Sequence, residues 1–175
     1  MQRVRFNLMK NIVLIGMPSA GKSTVGVILS KAAGLSFIDT DLIIQKNEKR
    51  LLQDVIAENG IRYFLDAEER ALLSLNVERH VVATGGSVIY SESAVVHLKS
   101  NSIILYLKIS YAEMTKRINN ISTRGIAIRG DQNLSDLYSE REPLYSRYAD
   151  YTINCDNRDI ESIITEIIKI IEPVV

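Results

Sequence analysis

The chain has 175 residues, 46% of them hydrophobic and 24% charged, which suits one compact domain with a sizeable core. Lysine plus arginine and aspartate plus glutamate number 21 each, so the formal net charge is +0, no broad basic face is advertised, and nucleic acid is not the expected partner. No stretch approaches about 18 uninterrupted apolar residues, and the basic opening segment lacks a long apolar run, so neither a membrane partner nor a signal peptide is expected.

In chain order, residues 1–9 read as a short extension. Short β-branched runs then alternate with helical patterns, predicting strands near 11–16, 36–39, 80–84, 102–107 and 151–154. Between them the periodicity predicts helices over 22–33, 61–78, 91–99, 110–118, 133–148 and 159–171. The last carries isoleucines on one stripe, as a core-facing helix does. Residues 119–132 lack periodicity and hold two arginines and two glycines, so a lid is expected there. One domain over 1–175 accommodates all of this. The single Cys155 has no internal partner, which points to a reducing cytoplasm, and a monomer is expected.

Residues 16–23, Gly-Met-Pro-Ser-Ala-Gly-Lys-Ser, form a complete G-x-x-x-x-G-K-[ST] phosphate loop directly after the run Ile12-Val13-Leu14-Ile15. Gly16 and Gly21 let the backbone of the loop, which includes Pro18, Ser19 and Ala20, curl so that successive N–H groups point at phosphate oxygens. Lys22 reaches the outer phosphates, Ser23 offers an oxygen to Mg²⁺, and Thr24 continues into the helix whose N-terminus favours an anion. ATP and Mg²⁺ are therefore the expected cofactors. The guanine-specific signatures Asn-Lys-x-Asp and Asp-x-x-Gly are absent, which argues against a switch GTPase.

Further motifs follow in order: Phe37-Ile38-Asp39-Thr40-Asp41, Phe64-Leu65-Asp66-Ala67-Glu68, Thr84-Gly85-Gly86-Ser87, Arg124, and Arg141-Glu142-Pro143-Leu144-Tyr145. This ordered set resembles the shikimate kinase family from about Lys10 to the final helix. The resemblance implies a three-layer α/β/α P-loop NTPase fold with a five-stranded parallel sheet and a mobile lid, transferring the γ-phosphate of ATP to the 3-hydroxyl of shikimate. It makes Asp39 a water-mediated Mg²⁺ support beside Ser23, and Asp41 the contact to acceptor hydroxyls and the base. Phe64, Gly85 and Gly86 fall on the acceptor side. Arg124 becomes the lid arginine on the phosphates, Arg117 the arginine packed on adenine, and Arg141 the partner of the shikimate carboxylate. Independently of the family, phosphoryl transfer asks for charge stabilisation and in-line placement, and arginine's planar fork suits a small anionic, hydroxylated acceptor.

The chain departs from the family pattern at three places. Leu65 stands where the family has a second arginine clamp, and leucine donates no hydrogen bond. Arg62, three residues earlier, is the expected substitute if both positions are helical. Ser87 replaces the third glycine of the turn and Gly125 a proline after the lid arginine. Two alternatives stay open beside shikimate: a kinase of the same fold acting on another small hydroxylated acceptor, and an ATP-binding regulatory module that has lost transfer.

Overall fold

The computed structural model describes residues 10–118, 126–130 and 132–172. Five parallel strands, β1 (Asn11–Ile15), β2 (Ser36–Asp39), β3 (His80–Ala83), β4 (Ser102–Lys108) and β5 (Tyr151–Asn154), form one sheet in the order β2-β3-β1-β4-β5. Helices α1 (Lys22–Ala33), α2 (Thr40–Glu48), α3 (Leu52–Leu73), α4 (Glu92–Ser100), α5 (Tyr111–Arg117), α6 (Leu134–Tyr148) and α7 (Ile160–Ile171) complete the α/β architecture.

Strand β1 lies between β3 and β4, pairing Val13 with Val82 on one side and with Ile104 on the other. Helices cover such a parallel sheet on both faces, which explains why β1 is an unbroken apolar run with all five residues buried. The chain leaves β1 for β2 by one edge and reaches β4 by the other. Loops splay apart at that reversal, opening the crevice at the carboxyl ends of the strands where α/β sheets bind ligands. The main core packs Ile12, Leu14, Leu105 and Tyr106 against Leu29, Val95, Tyr145 and Ile167. A second cluster joins Ile44 of α2 to Leu52, Val55, Phe64, Ala67 and Ala71 of α3, with Ala127 packed into it.

All five predicted strands are present within a residue or so of their expected ends, and so are the helices other than α2 and α3. Helix α2 falls in the stretch 40–60, for which the sequence predicts no element. Its start is hidden because Asp39 ends β2 and also caps α2, its side chain accepting from the Asp41 N–H. Helix α3, expected over 61–78, spans Leu52–Leu73 with a kink at Gly60, where φ is 83° and ψ 169°. The glycine marks a break inside a longer element, and the expected boundary at Ile61 falls on it. At the other end Ser74 caps α3, and Val77 is drawn toward the sheet by the Asn11 side chain, which donates to its carbonyl at 2.7 Å.

Candidate active site

The phosphate loop connects the end of β1 to the start of α1. Gly21, at φ 93°, is the N-cap of α1 and no side chain caps the helix there, so its first N–H groups face the crevice free of a competing acceptor. Ser19 within the loop is also left-handed, at φ 62°. Lys22 folds back over the loop, its Nζ donating to the carbonyls of Gly16 at 2.8 Å and Met17 at 2.9 Å. Burial pushes the Lys22 ammonium down to about 8; neighbouring Asp41 opposes that shift and Arg141 adds to it. An incoming phosphate would favour the charged form.

Ser23 Oγ donates to Asp39 Oδ2 at 2.6 Å, while Asp39 Oδ1 accepts from the Asp41 N–H at 3.0 Å. Asp39 is thus a helix cap and a partner of the loop serine at once. Hard oxygen donors at the edge of a phosphate loop fit Mg²⁺, which takes one or two protein oxygens and completes its shell with water and substrate phosphates. Among the described residues no group of three or more His, Cys, Asp or Glu could hold a metal without such help.

A cavity of about 380 Å³ runs from the loop to the face of α3, lined by Lys22, Asp41, Phe64, Glu68, Gly85, Gly86 and Arg141 among others. Phe64 and Glu68 reach it together because residues four apart share one helix face. Burial pushes Asp41 up to about 6, helped by Asp39 and opposed by Lys22. Burial also pushes Glu68 up to about 7; the hydrogen bond from Ser87 opposes this and the Asp41 charge adds to it. Asp41 Oδ1 and Glu68 Oε1 are buried with no hydrogen-bond partner, and both face the Cα of Gly85. A side chain at position 85 would drive into the Glu68 carboxylate, so glycine there keeps the space between the two acids. Arg141, whose Nη1 faces the Cα of the neighbouring Gly86, is only 1% exposed. Its Nε donates to Tyr90 Oη at 3.2 Å, its Nη2 donates to the Ala127 carbonyl at 2.7 Å, and its guanidinium lies 5.2 Å from the Tyr90 ring centroid. Tyr145, one turn further along α6, donates to the Gly86 carbonyl at 2.5 Å and fixes the glycine turn against the same helix.

The structure therefore gathers Pro18, Ser19, Gly21, Lys22, Ser23, Thr24, Asp41, Phe64, Gly85, Gly86 and Arg141 around one cavity, with Asp39 behind Ser23. Gly16 contributes the carbonyl that holds Lys22, and Ala20 packs in the core beneath the loop. The expectation for Arg62 is corrected: it is exposed and does not line the cavity. Two residues before Phe64 puts it about 200° around the helix, on the far face. Leu65 turns toward the second cluster and does not line the cavity either. Arg117 lies apart from the cavity, its Nε on Glu113 Oε1 at 2.7 Å and its Nη2 on the Cys155 carbonyl at 3.5 Å. Arg124 and Gly125 lie outside the described residues. Sequence reasoning missed Gln45, Leu52 and Ser87 as lining residues. The first two sit in the stretch 40–60, for which no helix is predicted, and the packing of Ile44 with Leu52 and Val55 sets that stretch against the cavity.

The family model for shikimate kinase matches residues 18–172. The chain is 34% identical over 164 residues to shikimate kinase of Caldanaerobacter subterraneus, covering 92% of this chain and 95% of that one. It is 34% identical over 165 residues to the shikimate kinase of Clostridium botulinum strain Alaska E43, covering 93% and 98%. Among solved structures, shikimate kinase from Acinetobacter baumannii in complex with shikimate superposes with a TM-score of 0.87 at 28% identity, covering 97% of this chain and 96% of that one. The Aquifex aeolicus shikimate kinase gives 0.79 at 29%, covering 94% and 97%. With the phosphate loop, the paired aspartates and the buried arginine around one cavity, this chain belongs to the shikimate kinase family.

Proposed function

We propose that this protein is an ATP-dependent shikimate kinase, transferring the γ-phosphate of ATP to the 3-hydroxyl of shikimate. The observation that carries the reading is that buried Arg141 lines the same cavity as Asp41, Glu68 and Lys22. A carboxylate on Arg141 leaves the ring hydroxyls directed at the two acids, and the relative from Acinetobacter baumannii is described in complex with shikimate.

In this reading Asp41, once ionised, accepts the proton of the attacking hydroxyl. As that oxygen bonds to the γ-phosphorus, the bond to the bridging oxygen breaks and ADP leaves. Lys22 leaves its loop carbonyls for the phosphates, and Arg124 is the second cation proposed there. Ser23, with Asp39 behind it, would hold Mg²⁺, which would supply charge neutralisation to the phosphates. Arg117 is the residue proposed to pack on adenine. We place the reaction in the cytoplasm, a reading supported by the unpaired Cys155, and in a monomer.

A second reading, a same-fold kinase for another small hydroxylated acceptor, is favoured by one observation. With Leu65 turned away and Arg62 exposed, Arg141 is the only arginine lining the cavity among the described residues. An ATP-coupled assay across shikimate and a panel of small polyols and hydroxy acids tests both. Turnover with shikimate alone supports the first, and turnover confined to another acceptor promotes the second.

A further inference from the structure

The Glu68 side chain enters the cavity from α3 almost wholly buried, and among the described residues its hydrogen-bond partner is the hydroxyl of Ser87, which donates to Oε2 at 2.5 Å. Ser87 is itself 4% exposed and sits at the end of the Thr84-Gly85-Gly86 turn, whose backbone is fixed from both sides. Thr84 Oγ1 donates to the Leu14 carbonyl at 3.0 Å, and Tyr145 holds the Gly86 carbonyl. A rigid donor on Oε2 sets the carboxyl plane and leaves Oε1 bare toward the cavity, beside the equally bare Oδ1 of Asp41. Two buried acceptor oxygens without partners are costly to keep unless a ligand supplies donors. Leu65, three residues before Glu68, provides no donor that could take over the role of Ser87.

We propose that Ser87 is a positioning residue for acceptor recognition. It orients Glu68 so that Oε1 takes a second acceptor hydroxyl next to the one taken by Asp41, making a pair of hydroxyl donors the feature this pocket selects. The proposal rests on the kinase reading above, with Arg141 taking the acceptor's anionic end. Four groups face Glu68: Ser87 from the turn after β3, Asp41 from α2, Lys22 from α1 and Arg141 from α6. The Ser87 hydrogen bond lowers the Glu68 ionisation against the upward push of burial, so removing the hydroxyl moves that ionisation to higher pH.

Steady-state kinetics of Ser87→Ala and Ser87→Gly, with Glu68→Ala and the Ser87→Ala/Glu68→Ala double variant, tests this. Ser87→Ala and Ser87→Gly are expected to raise the shikimate KM about tenfold, with the ATP KM and kcat within about twofold of the parent. The pH limb of kcat/KM that reports Glu68 should move upward. In the Glu68→Ala background the Ser87 change should add nothing, since its effect runs through that carboxylate. A parent that phosphorylates shikimate alongside Ser87 variants of unchanged shikimate KM overturns the positioning role while the kinase reading stands. An equal KM rise in both backgrounds shows a merely structural serine and also overturns it. A parent that binds ATP but gives no transfer to shikimate overturns the kinase reading, and this proposal with it.

Discussion

Lys22 is half-buried beside three carboxyl groups, those of Asp41, Asp39 and Glu68, and beside Arg141, and its ammonium holds two loop carbonyls that an incoming phosphate competes with. Replacing it by methionine, Lys22→Met, removes a preorganised cation from the transferring group. Turnover is expected to fall about a hundred-fold or more, measured in single-turnover assays. Asp41 sets the acid limb of the reaction. Its carboxyl is raised to about 6, so kcat/KM for shikimate should fall as pH drops through about 6, and Asp41→Asn should abolish that limb with a loss of about 10²–10⁴ in kcat. Glu68 carries a stability consequence. Its folded-state ionisation at about 7 lies above the ordinary carboxylate value, so the native state prefers the neutral acid, and that stabilisation is lost as pH rises through about 7. Glu68→Gln, which cannot ionise, is therefore expected to stabilise the protein by about 2–3 kcal/mol at pH 8 and to have little effect near pH 4, as denaturant melts at both pH values would show. At this scale most of the site was legible, since the phosphate loop, Asp39, Asp41, Gly85, Gly86 and Arg141 are short motifs at ends of elements the sequence marks clearly. Arg62 was misplaced because nearness in sequence to position 65 does not fix which face of α3 meets the cavity.

The elements divide by how much of their signal is local. The strands and most helices carry their own periodicity and stops, and they stand where the pattern puts them. Helix α2 and the first part of α3 hold together mainly through contacts with each other. Ile44 packs with Leu52 and Val55, while Tyr63 donates to Glu48 Oε2 at 2.9 Å across the α2–α3 pair. Such tertiary support leaves little trace in a window of sequence. The kink between the two parts of α3 depends on Gly60, whose φ of 83° with ψ of 169° is nearly closed to other residues. No heavy atom lies within 4 Å of where its Cβ would stand, so Gly60→Ala tests backbone conformation alone. It should destabilise the protein by about 1–3 kcal/mol in chemical denaturation. It should also raise the acceptor KM, because Leu52 before the kink and Phe64 and Glu68 after it line the same cavity.

For the whole molecule, the parallel sheet and its reversal at β1 bring the phosphate loop, the cap of α2, the glycine turn after β3 and buried Arg141 of α6 to one crevice. That convergence supports a reaction in which nucleotide and small acceptor meet, and it makes a bare nucleotide-binding module a poor description of the cavity. Alternation of strand and helix made the architecture readable, while the identity of the acceptor turns on side chains such as Leu65 and Ser87 that no periodicity reports. The most direct measurement is phosphate transfer from ATP to shikimate, followed by ADP release and by ³¹P NMR of the product, in the parent and in Arg141→Ala. The account predicts a 3-phosphorylated product with the parent and at least a hundred-fold loss of kcat/KM with Arg141→Ala, because a buried carboxylate partner is removed. No transfer to shikimate by a parent that binds ATP, or an Arg141→Ala variant as efficient as the parent, would contradict it.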